Sequence, residues 1–116
     1  MTASDGLAFG DILLVPFPFT NQAASKQRPA VVISRSDVNS ARPDVIVMAI
    51  TSQLTGFAHS YDVLVMQWQA AGLLKPSAIK AVIATLERSL IIRKLGSLQP
   101  DDRVALSAAI GLILGA

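Results

Sequence analysis

One arginine and one threonine, each beside an apolar stretch, are the residues of this chain best suited to do chemistry. Arg28 precedes Pro29, and a residue before proline is held to extended backbone angles, so its guanidinium has a rigid base. A guanidinium presents paired donors that match a phosphate, and it stays charged at any working pH. Thr51 and Ser52 end another apolar stretch and can present their hydroxyls at the rim of a sheet. These side chains are candidates for a phosphate site.

The same residues also admit a purely structural role, which the residue types alone favour. Arg28 can cap its strand or form a surface ion pair of little energetic value. Thr51 and Ser52 can satisfy backbone groups in the turn after their strand. Histidine suits acid–base chemistry near neutrality, but a loop histidine such as His59 is typically solvated, and a single histidine makes no metal site. Both interpretations of the Arg28 and Thr51 side chains stay open on this basis.

Composition narrows the classes of function. The chain has 116 residues and zero cysteines, which excludes disulfides, thiolate catalysis and cysteine-ligated metals. The sequence also lacks a P-loop, a dinucleotide fingerprint, an HExxH motif and a nucleophile elbow. We therefore expect neither a cofactor nor a metal. Phosphoryl transfer in RNA, where an internal 2′-hydroxyl is the nucleophile, is compatible with what remains.

Length and hydropathy predict one globular domain over residues 1–116, with 52% hydrophobic and 16% charged residues. The N-terminus lacks the features of a signal peptide, and the longest apolar stretch, 104–116, is too short to span a membrane. We expect a cytoplasmic protein with no membrane partner. The net charge is +2, and basic residues gather in 26–42 and 75–94, which can converge on a phosphate backbone or remain ordinary solvated faces.

The elements that position these residues follow from hydrophobic periodicity and turn signals. Two strands flank a long polar loop that ends at Arg28. A C-terminal helix begins at Pro100, because proline and acidic residues favour a first helical turn. Its packed face has Leu106, Ile110 and Ile113, with Val104, Ala108 and Leu112 nearby. The predicted strands are 12–15, 30–33, 44–50, 61–66, a buried 78–86 and a return segment 92–98 with a turn at Gly96; short helical pieces are predicted at 67–71 and 87–91, and a polar loop at 35–43.

Three stretches, occurring in order along the chain, carry a family resemblance. The first, 10–34, has Gly-Asp-Ile, a Pro-Phe-Pro-Phe-Thr-Asn loop and Arg-Pro-Ala-Val-Val-Ile-Ser. The second is the apolar strand 45–52 with its terminal Thr-Ser. The third combines Gly-Leu-Leu-Lys-Pro-Ser at 72–77, Ala-Thr-Leu-Glu-Arg-Ser at 84–89 and Lys-Leu-Gly at 94–96. Together they resemble the PemK/MazF toxins of bacterial toxin–antitoxin systems.

This resemblance implies a fold and an activity. The fold is α+β and β-dominated, an SH3-like small barrel with a C-terminal helix. The activity is that of a metal-independent endoribonuclease, which cuts single-stranded mRNA at a short sequence and leaves 2′,3′-cyclic phosphate and 5′-hydroxyl ends. The implied partners are RNA, a cognate antitoxin protein and a second copy of the chain. Because the family pairs an arginine at the Arg-Pro motif with a threonine at this strand end, Arg28 and Thr51 are the expected catalytic residues.

Further polar residues near these two are expected to bind RNA. They are Lys26, Thr20, Ser52, Gln53 and Ser77. The chain departs from some family members at Val82, Ile83 and Ala84, which replace acidic, amide or arginine side chains, and at Ala23 and Ala24, which replace a loop glutamate. These departures keep two alternatives open: a non-catalytic RNA-binding module, and a protein-interaction module on the same barrel.

Overall fold

The computed structural model describes residues 6–17, 26–55 and 61–115. Its main feature is a six-stranded antiparallel sheet, in the order β4-β5-β3-β2-β1-β6, curled into a half-barrel. The C-terminal helix and the predominance of strands confirm the predicted fold class. The strands are β1 (Asp11–Phe17), β2 (Lys26–Val32), β3 (Asp44–Thr51), β4 (Val63–Leu64), β5 (Ala78–Glu87) and β6 (Arg93–Ser97); the helices are α1 (Ser36–Ala41) and α2 (Pro100–Ile113).

Alternate side chains of the strands build hydrophobic clusters on the two faces of the sheet. Ile12, Val31 and Met48 are buried on one face, together with Leu106 of α2, and we call this side the α2 face. Their strand neighbours belong to a second buried cluster on the opposite face; it includes Leu13, Val15, Ala30, Val32, Val47 and Leu86. The period of two along each strand therefore decides which side chains lie near α2.

Helix α2 has the predicted proline at its start and acidic residues in its first turn. The Asp102 carboxylate is buried and accepts hydrogen bonds from the backbone N–H groups of Met66 and Gln67, at 3.0 and 2.9 Å. This links the helix to the 66–72 segment. The burial of Leu106 agrees with the predicted helix face. Ile110 and Ile113 pack against the buried cluster as predicted, and Val104 and Leu112, which were predicted only to lie near that face, are 70% exposed. No helix in the described part of the chain is long and apolar enough to cross a membrane.

Two glycines allow the 66–72 segment to approach β6. Gly72 has φ of +94°, and an added Cβ would lie 2.2 Å from the Leu95 carbonyl oxygen. A Cβ on Gly96 would lie 2.2 Å from the Ala71 carbonyl oxygen. The prediction of a turn at Gly96 is wrong, because this residue lies inside β6. Its glycine serves close backbone contact instead of reversal of the chain.

Three other element predictions need correction. Residues 35–43 are not all loop, because α1 forms there and its buried Asn39 donates side-chain hydrogen bonds to the carbonyls of Leu7 and Ser34. The predicted strand 61–66 shortens to two residues, since the next backbone N–H groups bond to Ser77 and Asp102. Segment 78–86 is a strand, but its middle is exposed and not buried.

Candidate functional site

The pairing of β2 with β3 determines how Arg28 and Thr51 lie relative to each other. The ladder pairs Val31 with Met48 and Ala30 with Ala49. The ladder ends at this last pair, and Arg28 and Thr51 each lie two residues beyond it along their own strands. Side chains two residues apart along a strand point to the same face, so Arg28 shares a face with Ala30 and Thr51 shares a face with Ala49. The register thus puts the two predicted catalytic side chains on the same face at one end of the sheet.

Arg28 is half-buried and lies opposite Val15 of β1. Within residues 6–17, 26–55 and 61–115, its guanidinium forms no hydrogen bond or ion pair. By contrast, Arg35 and Arg42 each bind a carboxylate two residues further along the chain, at 3.1 and 2.8 Å, and Arg88 donates to the Asn39 carbonyl. The described surroundings of Arg28 therefore leave its donors available to a ligand.

The hydroxyl of Thr51 has one described hydrogen-bond partner. Its Oγ1 accepts a hydrogen bond of 3.1 Å from the backbone N–H of Gln53, so the structural role considered for this residue is present. A hydroxyl that accepts keeps its own proton for donation. Thr51 is thus oriented by the turn and can still donate to a phosphate oxygen.

On the α2 face of the same sheet end lies a pocket of about 340 Å³, which we call the rim pocket. Its polar part includes Gln27 and Ser52, the immediate neighbours of Arg28 and Thr51 along their strands. The remaining lining comes from β1, β6 and the segment before β5. The full lining is Leu14, Gln27, Pro29, Ser52, Gly72, Leu73, Leu74, Lys75, Ser77, Arg93 and Leu95.

The other predicted RNA-binding residues have different surroundings. Lys26 is exposed at the start of β2, and Gln53 is exposed just after β3. Ser77 is buried, and its hydroxyl donates to the Lys75 carbonyl at 2.8 Å. This hydroxyl therefore already serves a hydrogen bond within its own segment. Thr20 lies outside the described residues, as do His59, Ala23 and Ala24.

Basic residues converge on this sheet end only in part. Lys75 and Arg93 line the rim pocket, whereas Lys94 lies 3.4 Å from the Asp11 carboxylate. At the other end of β2, the guanidinium of Arg42 donates to Asp44 and lowers the pKa of that carboxyl below its usual value. The basic stretches in the sequence thus divide between the site and local ion pairs.

Sequence reasoning did not single out Gln27 or Arg93 as site residues. Gln27 carried no signal of its own beside Arg28, and Arg93 was one member of a long basic stretch. Their association depends on β1 pairing with both β2 and β6, a long-range contact. Trp68, the single tryptophan, is half-buried and packs against the cluster on the α2 face, which makes it a packing residue.

Comparison with known proteins decides the family. The model of the family described as "PemK-like, MazF-like toxin of type II toxin-antitoxin system" matches residues 8–114. The chain belongs to this family. The PemK/MazF resemblance carried by the three sequence stretches is therefore confirmed, and this family member is a MazF-like toxin of a toxin–antitoxin system. A search of curated protein sequences gives no match.

Solved structures agree with the PemK/MazF fold. A mycobacterial endoribonuclease, solved with its cognate antitoxin, has a TM-score of 0.76 at 16% identity, covering 98% of this chain and 96% of that one. The Mycobacterium tuberculosis toxin MazF-mt6 has a TM-score of 0.74 at 24% identity, covering 90% and 96%. MazF from Deinococcus radiodurans has a TM-score of 0.71 at 19% identity, covering 95% and 96%. At these identities the likeness establishes the fold.

Proposed function

We propose that this toxin is a metal-independent endoribonuclease that cuts single-stranded RNA at a short sequence. The observation that supports the proposal is the β2–β3 ladder, beyond whose last pair Arg28 and Thr51 continue on the same face of the sheet. Membership of the PemK/MazF family supports it. Unpaired RNA is the fitting substrate, because its bases can be splayed out and its backbone can reach in-line geometry.

In this mechanism the 2′-hydroxyl oxygen of the substrate attacks the adjacent phosphorus. The O2′–P bond forms as the P–O5′ bond breaks, and the proton lost from O2′ is balanced by one gained at the leaving O5′. The products are a 2′,3′-cyclic phosphate and a 5′-hydroxyl. No nucleophile from the protein is needed, so the task of the protein is positioning and charge stabilisation.

Arg28 and Thr51 divide this task. Arg28 binds the non-bridging phosphate oxygens through paired donors and stabilises the charge that grows on them. A guanidinium holds its protons at any working pH and is a poor proton donor, so we assign Arg28 charge stabilisation and not acid catalysis. Thr51 donates to a second oxygen and holds the phosphate in line. Lys26, Thr20, Ser52, Gln53 and Ser77 are proposed to contact the RNA on either side.

We further propose that the toxin is cytoplasmic, forms one domain over residues 1–116 and acts as a homodimer. Exposed apolar side chains on β5, Val82 and Ile83, support a second copy as partner, since they are 44% and 38% exposed. A cognate antitoxin would cover the basic sheet end with an acidic or amphipathic segment. The mycobacterial relative solved with its antitoxin supports such a complex.

The test is cleavage of a long single-stranded RNA in EDTA by the purified toxin, with end-group analysis of the fragments. Arg28→Ala should lower the rate by ~10²–10³-fold, the usual loss when one charge-stabilising donor is removed. The matched control is Arg35→Ala, which removes the same charge from a side chain that is 80% exposed beyond the other end of β2. It should cut like the wild type.

Other products would overturn the mechanism. A 3′-hydroxyl end, or strict dependence on a divalent metal, contradicts attack by the 2′-hydroxyl. Binding without cleavage by antitoxin-free wild type would favour a non-catalytic RNA-binding module. RNA binding that is weak and insensitive to Arg28→Ala would favour a protein-interaction module.

A further inference from the structure

We propose that the rim pocket binds one unpaired nucleotide of the RNA, with its base on the apolar floor and a flanking phosphate on Arg93 and Lys75. The inference rests on the proposed function, because it adds a specificity site next to the proposed cleavage site. It assigns Gln27 and Arg93 a role in choosing the RNA sequence.

The volume and lining of the pocket suit a flat heterocycle. Leu14, Pro29 and Leu95 provide apolar surface, and the volume of about 340 Å³ falls at the small end of ligand pockets. A single base can lie on this apolar surface with its sugar outside the pocket. Apolar surface against the face of a base is sequence-tolerant, so discrimination has to come from polar groups around it.

Two polar side chains are available for that discrimination. Gln27 is exposed at the pocket and offers both a donor and an acceptor, and Ser52 adds a hydroxyl. Within the described residues neither side chain has a hydrogen-bond partner. An amide beside a base can bond to two positions of its edge, which is worth ~10-fold or more in discrimination against a wrong base.

Two cations on the pocket lining suit a phosphate. Arg93 comes from β6 and Lys75 from the segment before β5, and among the described residues neither forms an ion pair with a carboxylate. Lys94, the neighbour of Arg93, is paired with Asp11 instead. A nucleotide is an anionic phosphate attached to a flat heterocycle. The two cations and the apolar floor of the pocket complement these two parts.

The position of the pocket relates it to the cleavage site. Gln27 precedes Arg28, and Ser52 follows Thr51, with a rise of about 3.3 Å per residue along a strand. Successive side chains point to opposite faces, so the two sites lie back to back across the same sheet end. An RNA chain that places its cleaved phosphate between Arg28 and Thr51 can turn over this rim and place a nearby nucleotide in the pocket.

Binding of an uncleavable RNA tests the phosphate contact. The probe is a fluorescently labelled oligonucleotide that carries a sequence cut by the wild type in the cleavage assay. Its 2′-O-methyl groups remove the nucleophile, and the readout is anisotropy at several salt concentrations. Arg93→Gln should weaken binding about tenfold and reduce the salt slope by ~0.7, the value for one phosphate contact on a single strand. The matched control is Arg35→Gln, which should retain the wild-type affinity and slope.

Base preference tests the contact to the heterocycle. Cleavage of a randomised RNA pool by Gln27→Leu, followed by sequencing of fragment ends, should show about tenfold relaxed selection at one position beside the cut. Selection at the other positions should remain. Equal thermal midpoints for wild type and variants establish that the fold is intact.

The outcomes separate this proposal from the proposed function. If the wild type cuts RNA but Arg93→Gln and Gln27→Leu behave like Arg35→Gln, the pocket proposal is overturned and the nuclease stands. If the wild type does not cut, the same preference is measured by anisotropy with four oligonucleotides that differ at one base. A loss of preference in Gln27→Leu then supports the pocket without the nuclease. Pocket resonances that respond in NMR to an acidic peptide, and not to the oligonucleotide, would also overturn the proposal.

Discussion

Replacement of Gly96 by alanine should strongly destabilise the half-barrel. Its Cβ would lie 2.2 Å from the Ala71 carbonyl oxygen and 3.3 Å from Cα of Gly72, and real Cβ atoms essentially never come closer than 3.0 Å. Both neighbours are backbone, so no side chain can rotate away, and β6 and the 66–72 segment have to separate by about 1 Å. Overpacking of this kind costs ~1–3 kcal/mol, and more where the backbone has to move.

A second glycine provides the matched control. Gly111 lies inside α2, and a Cβ added there would meet nothing within 4 Å. Since glycine in a helix interior is less stable than alanine by roughly 0.5–1 kcal/mol, Gly111→Ala should stabilise the protein by that amount. The same chemical change is therefore expected to have opposite signs at the two positions.

Thermal or urea unfolding followed by circular dichroism measures both changes. For a domain of this size, 1 kcal/mol corresponds to roughly 4 °C in Tm, so Gly96→Ala should lower Tm by ~4–12 °C and Gly111→Ala should raise it slightly. An unchanged or higher Tm for Gly96→Ala would show that β6 and the 66–72 segment are not in tight backbone contact. Loss of this contact should also weaken RNA binding, because Arg93 and Leu95 of the rim pocket belong to the displaced strand.

Three further changes have defined outcomes. Asp102→Ala removes a buried acceptor of two backbone N–H groups and should lower the free energy of unfolding in urea by ~2–4 kcal/mol; a loss below ~0.5 kcal/mol would contradict this role. The pKa of Asp44 is lowered by its hydrogen bond to Arg42, so the pair contributes stability above the ordinary carboxyl pKa, and this is lost as pH falls through the lowered value. Arg42→Gln should flatten the pH dependence of Tm below about pH 4, and an unchanged profile would refute the link. Ile83→Lys should shift the toxin from dimer towards monomer in analytical ultracentrifugation. The control Val38→Lys, at a similarly exposed residue, should not. Equal behaviour of the two variants would exclude β5 from the interface.

Local sequence patterns predicted most of the elements but not their register. The strands around Ile12 and Val31 followed from apolar, β-branched runs, and α2 from its proline and acidic start, because these signals act within a few residues. The error at Gly96 has a different origin. A glycine that permits close approach looks like a glycine that permits a turn, and only the contact with residue 72, far away in sequence, distinguishes them.

For the candidate site too, the sequence indicated single residues but not which residues come together in the fold. Arg28 and Thr51 carried a signal because each stands beside a distinctive neighbour, Pro29 in one case and a second hydroxyl in the other. Arg93 joins the site through pairing of β1 with β6, across a register shift near Ile12. No local pattern encodes that shift, so the sequence could indicate a basic stretch but not which of its members lines the pocket.

The placement of both proposed subsites at one sheet end follows from the fold itself. Elsewhere on the α2 face, the helix and the 66–72 segment cover the inward side chains, and Ile12 and Val31 are fully buried. Leu14 and Pro29 are the next side chains on the α2 face of the same two strands. They are only half-buried and form the floor of the rim pocket. Because side chains alternate along β2, the end that leaves this floor open on one face also presents Arg28 on the other. Under the proposed function, consecutive residues of β2 therefore contact a phosphate on one face of the sheet and a neighbouring base on the other.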